Sequence, residues 1–485
     1  MAGDRSKGQI YTPPEVVGLV LDVAGYAGPA ILGKDALENS CGRGAFLSEM
    51  VGRYCEASLR ARGSLPTAEE LASRIRGIEI DPANAEASRA AMTEAAEAMG
   101  VEGPFAWDVA CGDALELCVA RRSSFDYVVG NPPYVSHRLV DERQRRSMRN
   151  YSMCAEGAPD LYIAFFAAGL LVLRRGGTLC YITPSTYMHI SGGAALRRRL
   201  RMLRECSSIV DVNRYDAFSD AQTSAVVTRL DKDVAHDAVR VGTWSREGMS
   251  DWSVRPYGRL FMGDVMSLVA DDGRRRRFAA VMAVDPSRYR GRMEAWGGLS
   301  TGLDRAFIDE RDGDLEEGPY VRRAYKARKG VWSLCVCPYG PDGGLVPFEA
   351  LPEAARRRLS SHEEGLRARS SRGEWYAWAS DSELGRSRTA RVAVSNLVTD
   401  LSSVRACEVP AGCLVYGSPS VPVSERHPAE EILAALRSQD FVDYVHDLHK
   451  IKGEGPTADG RGTKYEFTVG DLARYLCYVL EGGNL

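Results

Sequence analysis

Apolar and polar positions alternate in a regular rhythm along the first half of the chain. Short apolar runs such as "GIEI" and "FDYVVG" have the length and composition of buried strands. Longer stretches with helical spacing lie between them, such as "ANAEASRAAMTEAAEAMG", and two more strand-like runs, "IVDVNRYD" and "SAVVTRL", follow. The pattern predicts a doubly wound, mostly parallel α/β sheet, whose ligands bind beyond the carboxyl ends of the strands.

The rhythm changes near Arg240, and a chain of 485 residues suits more than one domain. We therefore predict a first domain over residues 1–240 and a second region over 241–485. A mixed connector runs to about residue 290, and a domain rich in glycine, proline and aromatic residues begins near "AWGGLSTGLDRAFI". The second region is predicted to close with a helix around "AEEILAALRSQDFVDYVHDL".

Charge and hydropathy narrow the classes of function. The formal net charge of −3 is unlike that of a protein that coats nucleic acid indiscriminately. Basic residues are nevertheless dense in "LRRRLRMLR" and "VRRAYKARKG". Such runs are usually solvated faces, but beside a cleft they can contact phosphates, so a nucleic-acid partner stays open.

Compartment and metal content follow from the apolar and cysteine patterns. The longest apolar run, residues 161–173, is too short to span a bilayer and predicts a buried helix, and the N-terminus has no apolar signal core. The twelve cysteines are scattered, and the close pair Cys335 and Cys337 lacks a second pair at zinc spacing. We expect reduced thiols, a cytoplasmic protein, no membrane partner and no metal.

The stretch "FDYVVGNPPY" ends a predicted strand on two adjacent prolines. Pro132 and Pro133 lack N–H donors and have restricted φ angles, so this corner is rigid. It is either a strand-terminating turn or a preorganised acceptor site at the carboxyl end of a central strand. The four residues alone leave both interpretations open.

Three other strand ends carry residues suited to binding a nucleoside. Gly42 and Gly44 lie between a strand and a helix, where a glycine loop serves either as a plain turn or as a close approach to a ligand. Glu79 is placed to accept from ribose hydroxyls, Ile80 offers an apolar face, and Asp113 can accept from an adenine amino group. Without a phosphate-binding motif, this set favours S-adenosylmethionine, and NAD fits less well.

In this order, the stretches resemble the amino-methyltransferases of DNA, specifically the adenine-N6 methylases of the Taq type with an NPPY motif. "GQIYTPPEVV", "LENSCGRGAFL", "NPPY", "DLYIAFFAAGLLVLRRGGTLCYITPSTYM" and "YDAFSDAQTSAVVTRL" are similar to successive motifs of that group. Asn39 stands where proline is usual. The resemblance covers about the first 230 residues and implies a Rossmann-like class I methyltransferase fold with a C-terminal target-recognition domain.

The resemblance implies a full set of site residues. The predicted cofactor site comprises Tyr11, Thr12, Pro13, Glu38, Ser40, Cys41, Gly42, Gly44, Glu79, Ile80, Asp113 and Asn131. The predicted catalytic residues are Asn131, Pro132, Pro133 and Tyr134. Tyr134 is also expected to stack on a flipped-out adenine; Phe218 supplies either a second wall for that base or merely a core aromatic.

The second region resembles the target-recognition domain of the group more loosely. We predict that it contacts duplex DNA at a short specific site through Arg322, Lys326 and Arg328, although a solvated basic strand is the alternative. Methylation of RNA adenine or of a protein glutamine is the alternative hypothesis. The nitrogen of any planar amino group is a poor nucleophile, so the same motif could serve these substrates. We expect modification without cleavage, with a separate restriction endonuclease as a possible partner, because the first motif starts by Gly8 and no convincing nuclease cluster is found.

Overall fold

The structure is a computed structural model. It describes residues 12–214, 225–245, 248–250, 252–262, 265–269, 271–310, 313–369, 373–448 and 464–482. The chain divides into two compact units, the first ending at Leu268 and the second beginning at Val269. Tyr11 and Phe218, two predicted site residues, lie outside the described residues.

The first unit contains the alternating strands and helices that the sequence predicts. Its strands are β1 (Ala36–Glu38), β2 (Ile75–Glu79), β3 (Val109–Cys111), β4 (Phe125–Gly130), β5 (Leu173–Pro184), β6 (Cys206–Arg214), β7 (Ala225–Asp231), β8 (Ala238–Ser245), β9 (Gly248–Met249), β10 (Ser253–Pro256), β11 (Phe261–Met262) and β12 (Val265–Met266). Its helices are α1 (Pro14–Ala24), α2 (Ala45–Arg62), α3 (Ala68–Arg74), α4 (Pro82–Ala98), α5 (Ala114–Leu117), α6 (Glu142–Met148), α7 (Leu161–Val172) and α8 (Ala194–Leu203).

The main sheet has the strand order β3-β2-β1-β4-β5-β7-β6-β8-β10, with β9 paired to β8. Strands β1 to β5 pair in parallel, whereas β7 is antiparallel to both of its neighbours. The prediction of a doubly wound, mostly parallel α/β sheet is confirmed. The strand order reverses between β1 and β4, and such a reversal opens a crevice at the carboxyl ends of the two strands.

Apolar side chains cover both faces of this sheet. One layer is formed with α1, α2 and α4, and the other with α7. Helix α7 is apolar on nearly all sides and buried, as predicted. A Cβ on its Gly169 would lie 2.5 Å from Leu179 Cδ1, so the missing side chain lets the helix approach β5 closely. No helix among the described residues combines the length and the hydropathy needed to cross a membrane.

The boundary between the units differs from the position predicted at residue 240. Arg240 lies within β8, which pairs in parallel with β6 of the main sheet. The alternation in "AVRVGTWS" is that of a strand near the sheet edge, where Val239 and Val241 join the core and Arg240 between them is exposed. In the sequence alone, this pattern of apolar and polar residues could not be distinguished from that of a mixed connector.

The second unit combines small sheets with short helices. Its strands are β13 (Ile308–Asp309), β14 (Val321–Lys326), β15 (Val331–Val336), β16 (Arg391–Val394), β17 (Leu397–Val398), β18 (Ala406–Val409), β19 (Leu414–Val415), β20 (Ser420–Pro422) and β21 (Tyr465–Glu466). Its helices are α9 (Asp272–Ala283), α10 (Asp304–Phe307), α11 (Glu353–Ser360), α12 (Glu363–Arg367), α13 (Ser382–Arg386), α14 (Ala429–Leu436), α15 (Gln439–Asp447) and α16 (Val469–Leu480).

Three sheets organise these strands, in the orders β13-β15-β14-β19, β18-β16-β20 and β17-β21. The helix predicted around residues 429–448 is in fact two helices, α14 and α15. Ser438 separates them because its side chain accepts the backbone N–H of Phe441 and caps α15. A serine in the middle of an amphipathic pattern does not reveal by itself which backbone donor it will bind.

Candidate active site at the carboxyl ends of the strands

A cavity of about 490 Å³ opens at the carboxyl ends of β1, β2 and β4, where the strand order reverses. Loops that follow strands supply much of its lining, and helices α6 and α7 supply further side chains. Eight predicted site residues line it: Ser40, Gly42, Glu79, Ile80, Asp113, Asn131, Pro132 and Pro133. The fold therefore brings together residues that are up to 93 positions apart in the sequence (133 minus 40).

The Glu79 carboxylate is fixed by two backbone donors. Its Oε2 accepts the N–H of Gly42 at 2.8 Å, and its Oε1 accepts the N–H of Asp81 at 3.0 Å. Gly42 adopts a φ of +52°, a left-handed conformation that favours glycine. Each carboxylate oxygen keeps a lone pair for another donor. Glu79 is thus preorganised to accept hydrogen bonds from vicinal hydroxyls in the cavity.

The Asp113 carboxylate is also held by the protein. Its Oδ1 accepts the N–H of Leu115 and caps α5, while its Oδ2 accepts the Ser147 hydroxyl at 2.8 Å. Ser147 belongs to α6 and is not among the predicted site residues. The second bond attaches α6 to the wall of the cavity. Because each oxygen can accept a second hydrogen bond, Asp113 retains capacity for a ligand amino group.

Asn131 follows β4 directly, and only one end of its side-chain amide is paired with a described residue. Its Nδ2 donates to Thr12 Oγ1 at 3.0 Å, whereas its Oδ1 is buried and accepts no hydrogen bond from any described residue. A buried acceptor without a partner costs about 1–3 kcal/mol. Unpaired groups of this kind need a physical explanation, and a missing ligand donor is one.

The backbone around Asn131 is tightly constrained. Gly130 has a φ of +147°, and a Cβ there would lie 3.2 Å from Glu38 Cγ. The Ser40 hydroxyl donates to the carbonyl of Asn131 at 3.4 Å. The carbonyl of Pro132, the next residue, accepts no hydrogen bond within the described part of the chain. Two neighbouring acceptors, Asn131 Oδ1 and the Pro132 carbonyl, therefore receive no hydrogen bond from the residues that the structure describes.

Glu38 is buried behind this corner, with 2% of its surface exposed. Burial, together with the nearby Glu79 carboxylate, raises the pKa of Glu38 well above the ordinary carboxyl value. Its Oε2 has no hydrogen-bond partner among the residues that the structure describes. Glu38 lies against Gly130 and does not belong to the cavity wall.

Tyr134 is positioned by β5. Its hydroxyl donates to the carbonyl of Ile182 at 3.1 Å, which sets the orientation of the ring. Burial raises the pKa of Tyr134 well above that of a free phenol, so the hydroxyl stays protonated. Tyr134 follows the cavity-lining pair Pro132 and Pro133 but is not itself part of the cavity wall.

Five of the described residues predicted to bind the cofactor lie outside the cavity wall: Thr12, Pro13, Glu38, Cys41 and Gly44. A Cβ on Gly44 would lie 2.8 Å from Ser88 Oγ, so this glycine allows α2 to pack against α4. Cys41 is buried and contacts the same Ser88 hydroxyl at 3.6 Å, and burial raises the pKa of its thiol. Pro13 precedes α1 as its N-cap residue. Gly44 and Cys41 are thus placed at a helix contact, and their roles in cofactor binding stay predictions.

The cavity has further walls that the sequence analysis missed. Apolar side chains come from Leu115, Val135, Leu139, Leu161 and Phe165. The i, i+4 spacing of Leu161 and Phe165 on α7 is the signal that could have paired them on one face. Leu139 is 77% exposed, which is uncommon for leucine. Its position in the cavity wall is known only from the structure.

The predicted DNA-contacting residues lie in the second unit, on or beside β14. The Lys326 ammonium pairs with Glu310 Oε1 at 2.9 Å and lies 4.8 Å from the centre of the Tyr416 ring. Lys329 also binds Glu310, and the two lysines lower the pKa of Glu310 to about 2. Arg322 is half-buried on β14, and Arg328 is exposed just beyond it.

A doubly wound sheet with a nucleoside-sized cavity at its switch point is typical of enzymes that bind a nucleotide-like cofactor. Residues 65–218 match the family described as Eco57I restriction-modification methylase. This segment contains Glu79, Asp113 and the sequence from Asn131 to Tyr134. This match confirms the resemblance of the segment to restriction-modification methyltransferases.

Relatives support this assignment over more of the chain. The type II methyltransferase M.BstVI of Geobacillus stearothermophilus is 26% identical over 409 residues, covering 75% of this chain and 72% of the relative. M.PaeR7I of Pseudomonas aeruginosa is 25% identical over 398 residues, covering 76% of this chain and 69% of the relative. The chain is therefore similar to type II restriction-modification methyltransferases well beyond residues 65–218.

A solved structure shares the fold. The type IIL restriction-modification enzyme MmeI, determined in complex with DNA, superposes with a TM-score of 0.62 at 13% sequence identity. The match covers 94% of this chain and 65% of that one, so about a third of MmeI has no counterpart here. At this identity the likeness concerns the fold.

Proposed function

We propose that this protein transfers a methyl group from S-adenosylmethionine to the N6 amino group of an adenine in duplex DNA. We further propose that it is the modification component of a restriction-modification or related defence system and acts at a short specific site. The observation that carries the proposal is the buried Oδ1 of Asn131, which has no donor among the described residues at the carboxyl end of β4.

The size of the cavity and its hydrogen-bond acceptors both suit this cofactor. Its volume of about 490 Å³ lies within the range of small-molecule sites. Glu79 would accept from the ribose hydroxyls, Asp113 from the adenine amino group, and Ile80 would contact the purine face. When bound, S-adenosylmethionine supplies an electrophilic methyl group.

Asn131 and Pro132 would prepare the target nitrogen for reaction. An adenine amino nitrogen is a poor nucleophile because its lone pair is delocalised into the ring. If Asn131 Oδ1 and the Pro132 carbonyl each accept one of its hydrogens, the nitrogen is held closer to tetrahedral geometry. Positive charge then develops beside two fixed acceptors, and such preorganised groups stabilise the transition state.

The rigid corner explains why the acceptors stay in place. The rings of Pro132 and Pro133 restrict two φ angles, and the Ser40 hydroxyl holds the Asn131 carbonyl at 3.4 Å. No general base is strictly required from the chain, because the amino group becomes far more acidic once it is alkylated.

The target base would have to leave the helix to reach this corner, at a cost of a few kcal/mol. Stacking on an aromatic ring returns about 1–3 kcal/mol per base. Tyr134 is suited to this role because its hydrogen bond to Ile182 already sets the ring orientation. Phe218, the second proposed wall, lies outside the described residues.

We assign recognition of the DNA sequence to the second unit. It is compact in its own right, and its hairpin of β14 and β15 carries basic side chains at its turn. Arg328 is the foremost phosphate-contact candidate because its guanidinium is exposed and makes no ion pair with a described residue. Lys326 is a weaker candidate than the sequence suggested, since Glu310 already neutralises it.

Methyl transfer can be tested directly with tritiated S-adenosylmethionine. Duplex DNA, RNA and a protein release factor are offered to the purified chain in parallel. We expect label in DNA alone, and mass spectrometry of the digested DNA should identify N6-methyladenine. Label in RNA or in a glutamine amide would favour the alternative reading, and methylated cytosine would contradict the proposed chemistry.

A further inference from the structure

Thr12 and Asn131 make a contact that the cofactor role predicted for Thr12 does not explain. Thr12 Oγ1 accepts a hydrogen bond from Asn131 Nδ2 at 3.0 Å across 119 sequence positions. The same asparagine leaves its Oδ1 buried without a donor among the described residues. Thr12 thus binds the half of the amide that the proposed chemistry does not use.

The orientation of the asparagine amide matters because its two ends have opposite hydrogen-bonding character. The oxygen accepts, whereas the NH₂ group only donates. An amide turned by 180° would present donors to the substrate amino group, and the two sets of N–H groups would repel each other. A competent site therefore needs something to hold the NH₂ group away from the substrate.

The segment that carries Thr12 is well suited to hold it. The carbonyl of Pro13 accepts the N–H groups of Val16 and Val17, each at 3.0 Å, which anchors the start of α1. Pro13 and Pro14 restrict the backbone directly after Thr12. Both valines are buried in the core of the first unit. The Thr12 hydroxyl is therefore tied to the rigid body of that unit.

We propose that Thr12 is a positioning residue, which fixes the Asn131 amide so that Oδ1 is the atom available to the target amino group. The proposal rests on the proposed function, since it concerns the same acceptor. It adds that the segment before α1 orients the amide that accepts the target amino group. Binding of the cofactor by Thr12 would not produce this dependence on Asn131.

Two substitutions separate the hydroxyl from the shape of the side chain. Thr12→Val removes the acceptor but keeps a branched side chain of similar volume, and Thr12→Ser keeps the hydroxyl. At saturating S-adenosylmethionine and DNA, we expect Thr12→Val to lower the single-turnover rate roughly 10- to 100-fold, because misplaced catalytic groups lose rate on that scale. Thr12→Ser should stay within about 3-fold of the wild type, as it retains the hydrogen bond.

A double-mutant cycle tests whether Thr12 acts through Asn131. In an Asn131→Ala background, Thr12→Val should cause no further loss of rate, because the amide that it positions is absent. Equal losses in both backgrounds would overturn the proposal. So would a Thr12→Val enzyme whose rate returns to the wild-type value at saturating cofactor, since Thr12 would then serve cofactor binding alone.

Crystal structures provide a readout that needs no methylation. At a resolution that distinguishes amide oxygen from nitrogen, Asn131 should hold one orientation in the wild type and in Thr12→Ser. In Thr12→Val it should turn or occupy more than one position, and an unchanged Asn131 would overturn the inference. A displaced Asn131 in a protein that methylates none of the three substrates would instead defeat the proposed function and leave the positioning role standing.

Discussion

The carboxyl edge of the main sheet and the hairpin of β14 and β15 were both predicted as functional regions, yet their polar groups are in opposite states. At the sheet edge, Asn131 Oδ1 is buried with no donor from the described residues. At the hairpin, Lys326 and Lys329 share the Glu310 carboxylate, and Arg323 lies 4.5 Å from the centre of the Trp332 ring. The first region keeps unused hydrogen-bonding capacity, and the second largely satisfies its own charges.

The energetic scales explain why this difference is informative. Leaving a buried acceptor unpaired costs about 1–3 kcal/mol, so its presence calls for a compensating role such as ligand binding. An exposed ion pair contributes only about 0–1 kcal/mol and is common on any surface. A dense run of basic residues is therefore weak support for a ligand, whereas one buried unpaired atom is stronger.

The largest effect is expected at Asn131. Asn131→Ala removes an acceptor that acts mainly in the transition state, so the single-turnover rate should fall about 100- to 1,000-fold, or about 3–4 kcal/mol. Affinities for S-adenosylmethionine and DNA should change little. Asn150→Ala is a matched control, because Asn150 is an exposed asparagine beyond α6. Full activity in Asn131→Ala would show that the unpaired acceptor at the sheet edge is no better a sign of function than the paired charges of the hairpin.

Glu79 should be next in size, and its effect should be on binding. Glu79→Gln keeps the shape of the side chain but loses the charge and one acceptor, which weakens charge-assisted hydrogen bonds by about 1.5–3 kcal/mol. We expect calorimetry to show cofactor affinity reduced roughly 10- to 100-fold. Glu97→Ala, an exposed glutamate on α4, should leave it unchanged. Equal affinities in both variants would refute the cofactor assignment of the cavity.

The hairpin provides a smaller test that separates its basic residues. Each phosphate contact contributes about 0.9 to the slope of log binding constant against log salt concentration. Arg328→Ala should reduce this slope by roughly one unit. Lys326→Ala should leave the slope unchanged, because its ammonium is already paired with Glu310. The reverse result would show that the ion pair opens when DNA binds.

The smallest effect is expected at Glu310 and depends on pH. Its pKa is lowered to about 2, so its ion pairs stabilise the folded state above the ordinary carboxyl pKa, and this contribution is lost as the pH falls towards 2. Because the carboxylate is about 33% exposed, we expect Glu310→Gln to lower the free energy of unfolding by only about 0.5–1 kcal/mol at pH 6.

Urea denaturation of Glu310→Gln at pH 6 and at pH 3.5 checks the sign. The difference from the wild type should shrink at the lower pH. Glu316→Gln, at an exposed glutamate, should differ from the wild type at neither pH. A destabilisation of Glu310→Gln that grows on acidification would mean that the lysines do not hold Glu310 in its charged form.

The structure brings to one edge of the sheet those predicted site residues whose place follows from local sequence. Glu79, Asp113 and Asn131 each follow or end a short apolar run, and parallel strands carry their carboxyl ends to one edge. Gly44 was predicted to bind the cofactor, whereas the structure places it against Ser88 of α4. A glycine between a strand and a helix serves ligand approach or helix packing equally well, and only the neighbouring element distinguishes the two.

The sequence by itself determined the succession of strands and helices in the first unit, the strand ends that carry polar residues, and the rigid Pro132–Pro133 corner. These features depend on side-chain periodicity and on backbone restrictions within a few residues. Only the tertiary structure decided which polar atoms are satisfied. Thr12 meets Asn131 across 119 positions and Lys326 meets Glu310 across 16, because hydrogen bonds and ion pairs form between groups that the packed core brings together.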